Sequence, residues 1–314
     1  MKRTLALLAA LASAGAISAS AAYPERPVKL IVPWAAGGDT DVVYRAFQPV
    51  LQKHLGNTVV IANVGGASGT KGAKEAKDSA ADGYTILAIH DSIHSTYYTG
   101  VADVAWSDFQ PICLVASTPS ILTAAPKTPW KDAKAMLADA KARPGQVTVG
   151  ASLGSTSHFF PALIEKGAGI KFKYVAYDGT APRMNALLGS HIDMAESNLT
   201  QKGKADAGQM RFLAIATEKR NPAVPDVPTL KELGIDVTYA VNRGLVAPKA
   251  TPADVMAKLQ SACAEAAREP AFAEAMTKQG TLVNFLGPKE YTGFLKENDK
   301  INQDLAKDLG MLKR

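Results

Sequence analysis

The chain predicts an α/β protein of two lobes, each a mainly parallel sheet flanked by helices. Short β-branched runs alternate with segments of helical spacing along most of its length, the signature of successive βα units. Its 314 residues exceed what one hydrophobic core usually serves. Two proline-spaced extended segments, 119–126 and 239–248, are long enough to cross between two bodies. The expected boundaries are a signal peptide over 1–21, the first part of lobe 1 over 22–124, lobe 2 over 125–246, and a return to lobe 1 over 247–314.

Met1-Lys2-Arg3 is a basic start, Leu5 to Ile17 an uncharged apolar run, and Ala19-Ser20-Ala21 an A-x-A cleavage site with Ala22 as the alternative end. This is too short for a comfortable membrane span, and no cysteine follows it to carry a lipid. The expectation is an exported, periplasmic protein cleaved near Ala21/Ala22. The formal charge of +6 falls by two, to +4, when Lys2 and Arg3 leave. The lysines are scattered and no aromatic residues interleave with a basic cluster, so nucleic acid is not an expected partner. A mild positive field would attract small anions.

The first unit is a strand over Val28–Val32, ended by Pro33, then a turn through Gly37-Gly38. Thr40 and Asp41 are suitable N-cap residues. Val42, Val43, Ala46, Phe47, Val50, Leu51 and Leu55 give the following helix its buried face up to Gly56, with a kink expected at Pro49. Asn57–Val64 reads as a strand, then a glycine loop over 65–69 and a small-residue helix to Ala80. Strands follow at 86–89, 111–117 and 121–125, a helix over 130–142, a strand over 146–149, a helix over 155–166, a strand over 172–176 and a helix over 181–188. Strands over 192–196 and 211–217 and an extended run over 237–247 precede helices over 251–268, 271–279 and 289–309.

Two turns stand out. Trp34-Ala35-Ala36-Gly37-Gly38-Asp39-Thr40-Asp41 joins a strand to a helix start, where unpaired N–H groups make an anion receptor. Ser152, Ser155, Thr156 and Ser157, with Leu153 and Gly154, form a second polar helix start. Two such lips on two lobes would grip a carboxylate from both sides. Gly150-Ala151-Ser152-Leu153-Gly154 also matches the G-x-S-x-G nucleophile elbow. A hydrolase triad needs an acid and then a histidine downstream. The last histidine is His191, with Asp178 close ahead of it, and no oxyanion-type H-G-G-G run is present, so a glycine turn capping a helix is the favoured reading and a serine hydrolase the alternative. His90-Asp91-Ser92-Ile93-His94 reads as a polar pocket rim, placing Asp91 and Ser92 at the site, rather than as a metal centre. The loop 65–72 lacks the G-K-[ST] setting of a phosphate loop. Cys113 and Cys263 are the only cysteines. In an exported protein a disulfide between them is expected, with two separately buried thiols as the alternative.

With these residues in view, the chain resembles the Bug family, the extracytoplasmic solute receptors of tripartite tricarboxylate transporters. The resemblance spans the mature chain. It runs through Tyr23-Pro24 with Pro27, Ile31 to Asp41, Asp82-Gly83-Tyr84-Thr85 and Ser152 to His158. It continues in Val175-Ala176-Tyr177-Asp178-Gly179, Ile192-Asp193 with Asn198, and Pro225-Asp226-Val227-Pro228-Thr229. It implies a type II-like Venus-flytrap fold that closes on a small carboxylate, with no catalysis and no fixed cofactor or metal. The ligand would lie at the turns 34–41 and 152–158, partly through ordered water, with Tyr177 and Asn198 added to the site. The implied partners are the membrane subunits of a tripartite transporter, and the protein itself is expected to be a monomer. A ligand sensor feeding a signalling partner would share this fold. Three positions depart from the family pattern: Asp39 replaces a small neutral residue, Glu196 an apolar one, and Leu153 a small polar one. Two acids near the cleft would repel a second carboxylate, so an amino-acid-like ligand competes with a di- or tricarboxylate.

Overall fold

The computed structural model describes residues 23–314; the signal-peptide reading and its cleavage site lie outside the described residues. The strands are β1 (Val28–Val32), β2 (Val59–Asn63), β3 (Thr85–His90), β4 (Phe109–Pro119), β5 (Ile121–Ala124), β6 (Thr148–Ala151), β7 (Lys173–Ala176), β8 (Met194–Ser197), β9 (Arg211–Ile215), β10 (Ala240–Pro248) and β11 (Leu282–Leu286). The helices are α1 (Asp39–Leu55), α2 (Thr70–Lys77), α3 (Ser92–Tyr98), α4 (Ala133–Ala142), α5 (Thr156–Ala168), α6 (Thr180–Leu188), α7 (Lys202–Asp206), α8 (Ala253–Ala267), α9 (Pro270–Lys278) and α10 (Pro288–Asp308). None is long and apolar enough to cross a membrane.

Two sheets organise the chain. The first has the order β11-β4-β10-β3-β1-β2 and the second β7-β6-β8-β5-β9. Both are mixed rather than mainly parallel. β2-β1-β3 and β7-β6-β8 run parallel, as their helical crossovers require. β10 and β5 enter antiparallel to β3 and β8 because each arrives from the other sheet. The crossings fall between Pro119 and Ile121 and before Ala240, so β5 joins the second sheet and all of β10 the first. The expected boundaries at 124/125 and 246/247 are displaced by a few residues.

Helices cover both faces of each sheet. Val43, Tyr44, Phe47 and Leu51 of α1 bury their stripe against the first sheet together with Leu259 and Ala266 of α8 and Phe272 of α9. The helix continues past Pro49 and ends at Gly56 in the left-handed conformation, whose N–H caps Gln52 O. Tyr291 and Leu295 of α10 and Ala73 and Ala76 of α2 pack on the opposite face. In the second sheet, Phe160 and Ile164 of α5 and Met136 of α4 fill one side, and Met184 and Leu187 of α6 the other. A disulfide joins Cys113 on β4 to Cys263 on α8, closing 150 residues of chain. Such a loop constrains the unfolded state by roughly 5 kcal/mol on the chain-entropy account.

The two lobes are closed on each other. The Ser68 N–H donates to Asp178 Oδ1 at 3.0 Å and its hydroxyl to Leu153 O at 2.9 Å. On the other side, Lys166 of α5 pairs with Asp308 of α10 at 3.0 Å.

Candidate functional site

Three helix starts converge where the lobes meet. α1 begins at Asp39, α5 at Thr156 and α6 at Thr180, and the turn before α1 lies against the α6 start: a Cβ at Gly38 would be 3.7 Å from the Ala181 nitrogen. Between them lies a cavity with about 380 Å³ of atom-free space, part of it open to solvent. Its walls are Trp34, Gly38, Asp39, Thr40 and His90 with Val241 and Arg243 from the first lobe, and Ser152, Ser155, Thr156, Ser157, Gly179, Thr180, Arg183 and Glu196 from the second.

The first lip is held from within. Asp41 accepts from the Gly37 N–H and Arg45 Nε on one carboxylate oxygen and from Asn63 Nδ2 on the other, each at 2.8 Å. Burial opposes this charge, but the hydrogen bonds from Arg45, Gly37 and Asn63 outweigh it and hold the carboxyl below its ordinary range. Gly38 N–H bonds Ala35 O. The glycine amides are therefore spent on the turn, and what faces the cavity is the side chains of Trp34, Asp39 and Thr40. Trp34 stacks on His90 with ring centroids 5.0 Å apart. Gly69 permits this, since a Cβ there would come within 2.9 Å of the indole. Burial, then the neighbouring Arg243 and Arg183 charges, push the His90 pKa well down, so the imidazole is neutral.

The second lip is a hydroxyl network. Ser155 Oγ donates to Ser152 O at 2.7 Å, Ser157 Oγ accepts from the Ser152 N–H at 3.0 Å, and Ser152 Oγ accepts from the Gly179 N–H at 3.0 Å. Ser155 occupies the N-cap position of α5 without capping it through its side chain, and α5 carries no acid in its first turn. The same holds for Gly179 and α6. These helix starts keep their N–H groups and positive dipole ends directed at the cavity.

Two arginines, neither marked by a sequence motif, set the electrostatics. Arg183 of α6 is buried and donates through Nη2 to Glu196 Oε2 at 2.7 Å and to Glu196 O at 3.1 Å. Gly150 makes the space, since a Cβ there would meet Arg183 Cγ at 3.0 Å. Burial raises the Glu196 pKa, opposed by Arg183 and reinforced by Asp39. Arg243 of β10 is also buried and donates to Thr118 Oγ1 at 2.7 Å, Thr40 Oγ1 at 3.2 Å and Val241 O at 3.3 Å. Every one of these acceptors is neutral.

Asp39 and Glu196 both face this cavity. Several other residues expected at the site lie elsewhere. Asp91 accepts from the Asn242 N–H, Asn242 Nδ2 and Asn298 Nδ2, tying β3 to β10 and α10 away from the cleft. Ser92 lines a smaller apolar cavity behind His90. Asn198 Oδ1 caps the Thr200 N–H, and Tyr177 packs beside Leu187 and Ile192. Leu153 is exposed and, with Gly154, meets the other lobe through its carbonyl. Ala35, Ala36, Gly37 and Asp41 shape the first turn without lining the cavity. Ser152 has no histidine or carboxylate among its hydrogen-bond partners; His158 instead accepts from the Gly154 N–H through Nδ1. His94 bonds Asp299 at 2.9 Å, away from His90, and the described residues hold no metal-binding cluster.

Two α/β lobes closed over a polar cleft of helix starts define a two-lobed periplasmic binding protein. The solved structure of the periplasmic binding protein BugD superposes with a TM-score of 0.88 at 31% identity, over 93% of this chain and all of that one. MatC from Rhodopseudomonas palustris, solved with bound malate, gives 0.84 at 28% identity, over 90% of this chain and 99% of that one. Protein BugT of Bordetella pertussis is 31% identical over 307 residues, 95% of this chain and 94% of its own. The tripartite tricarboxylate transporter family receptor model matches residues 43–311, and the chain belongs to that family.

Proposed function

We propose that the protein captures a small carboxylate-bearing solute in this cleft, in the periplasm, and presents it to the membrane subunits of a tripartite tricarboxylate-type transporter. The observation that carries the reading is Arg243. A guanidinium this buried with only neutral acceptors is costly unless an anion joins it. The Thr156 and Ser157 end of α5 faces the same space and would complete the carboxylate's hydrogen bonds. The malate bound by MatC is a solute of the corresponding chemistry.

Closure supplies the signal. The Ser68–Asp178 and Ser68–Leu153 bonds form only when the lobes meet. A ligand bridging both walls favours that state by its extra contacts there, and the closed surface is what a transporter would recognise. The protein acts as a monomer without cofactor, metal or catalysis, after cleavage near Ala21/Ala22.

A thermal-shift screen of small organic acids tests this. At 100 times its dissociation constant, a ligand stabilises by about 2.7 kcal/mol, which is readily seen. Stabilisation by carboxylates and not by matched alcohols or amines is expected. A panel in which no acid shifts the melting temperature contradicts the reading.

A further inference from the structure

We propose that the preferred solute is zwitterionic, offering a carboxylate to Arg243 and a cationic group to Asp39; this rests on the carboxylate-capture reading above. Four charged side chains line the cavity: Asp39, Arg183, Glu196 and Arg243. Arg183 and Glu196 are bonded to each other and cancel. That leaves one buried anion and one buried cation in the same cavity, and among the described residues neither is in a salt bridge, with each other or with anything else.

Asp39 is not bonded as a structural acid would be. It is only 6% exposed, yet its contacts are two hydroxyls of the opposite lobe, Thr180 Oγ1 at 3.3 Å and Thr200 Oγ1 at 3.2 Å. Asp41, two residues on, shows the structural pattern: both oxygens engaged at 2.8 Å, one of them by Arg45. Asp41 also already supplies an acid to the first turn of α1. Asp39 is thus an additional, desolvated negative charge facing a ligand space, and burying it without a counter-charge is unfavourable.

The site is therefore polarised. The α1 lip presents a negative side chain, while α5 and α6 present helix starts with no acid in the first turn. His90, neutral, supplies no second positive charge. A solute with two carboxylates would place one of them towards Asp39 in a medium of low dielectric, where like charges repel strongly. A solute with one carboxylate and one ammonium or quaternary nitrogen satisfies both residual charges and leaves the cavity neutral.

Calorimetry with matched pairs decides it: butyrate against 4-aminobutanoate, succinate against aspartate, glutarate against glutamate. In the wild-type protein the amine-bearing member of a pair should bind at least tenfold more tightly. Asp39→Asn, checked for folding by its melting curve, should erase that gap. Equal or tighter binding of the amine-free member overturns the proposal and leaves carboxylate capture standing. An amine preference that survives in Asp39→Asn overturns the role of Asp39. If no acid of either kind binds, the capture reading falls and this one with it. Should Asp39→Asn fail to fold, the wild-type pairs alone settle whether the amine is preferred.

Discussion

Arg183 and Glu196 form a buried ion pair, 2.7 Å between Nη2 and Oε2, in the wall of the cleft. The pair fixes the charge balance of the site, because without it Arg183 would join Arg243 as a second uncompensated cation. Glu196→Gln retains a hydrogen-bond acceptor and removes the charge. We expect the ligand-free protein to lose about 3 kcal/mol, since a buried charge is left without its partner. Selectivity should shift towards doubly charged anions. Denaturant unfolding and paired calorimetric titrations read the two effects, and an unchanged preference would mean that Arg183 does not act on the ligand.

Thr156 opens α5 and faces the cavity, and its hydroxyl has no hydrogen-bond partner among the described residues. Thr156→Ala should weaken binding by about 1.5–3 kcal/mol, the range for a hydrogen bond to a charged group. Ser155→Ala should do something different. Its hydroxyl is already committed to Ser152 O, so the turn itself loosens. Calorimetry on both variants separates them, and an unaltered affinity in Thr156→Ala would remove that hydroxyl from the site.

His158 carries the clearest pH dependence. Burial lowers its pKa to about 4, against about 6.5 in the unfolded chain. The unfolded state therefore binds more protons in this window. The contribution of His158 to stability is fully present above pH 6.5 and declines as the pH falls towards 4. The loss is on the order of 2–3 kcal/mol. His158→Gln can still accept from the Gly154 N–H and should flatten that part of the stability profile, measured by denaturant midpoints from pH 7.5 to 4. A profile as steep in the variant as in the wild type would assign the effect to other groups.

The disulfide between Cys113 and Cys263 is checked by mass analysis of exported protein alkylated without reductant. No alkylated cysteine is expected, and reduction should destabilise by several kcal/mol, given the 150 residues enclosed. Two alkylated thiols would contradict the bond.

The sequence was most legible where the signal is local. The apolar stripe of α1 ends at Gly56 in the structure as its 3.6-residue spacing requires. α3 was hidden because Ser92-Ile93-His94-Ser95-Thr96 has no apolar stripe; Thr96 and Thr99 bond back to carbonyls four residues earlier, a pattern more typical of turns. β11 is a short edge strand whose Leu282 is exposed, so no alternation marks it. Strand direction in β5 and β10 depends on which sheet each joins, a long-range fact absent from local pattern. Of the site, both helix-start lips could be read from glycine, serine and threonine at strand ends. Arg183 could not, because nothing near Thr180 shows which side of α6 faces the cleft. Arg243 left one trace: a lone charge within Ala240–Pro248, a run whose other residues are apolar apart from Asn242 and which reads as a buried strand.

Arg243 also offers the most direct test of the central claim, that this cleft binds a carboxylate. The measurement is calorimetric titration of wild-type and Arg243→Gln protein with the best-binding acid from the screen, with melting curves confirming that both are folded. Losing one partner of a buried, hydrogen-bonded charge pair typically costs 2–5 kcal/mol, so the variant should bind at least about 30-fold more weakly. Equal affinity in the two proteins would place the carboxylate elsewhere and contradict the account.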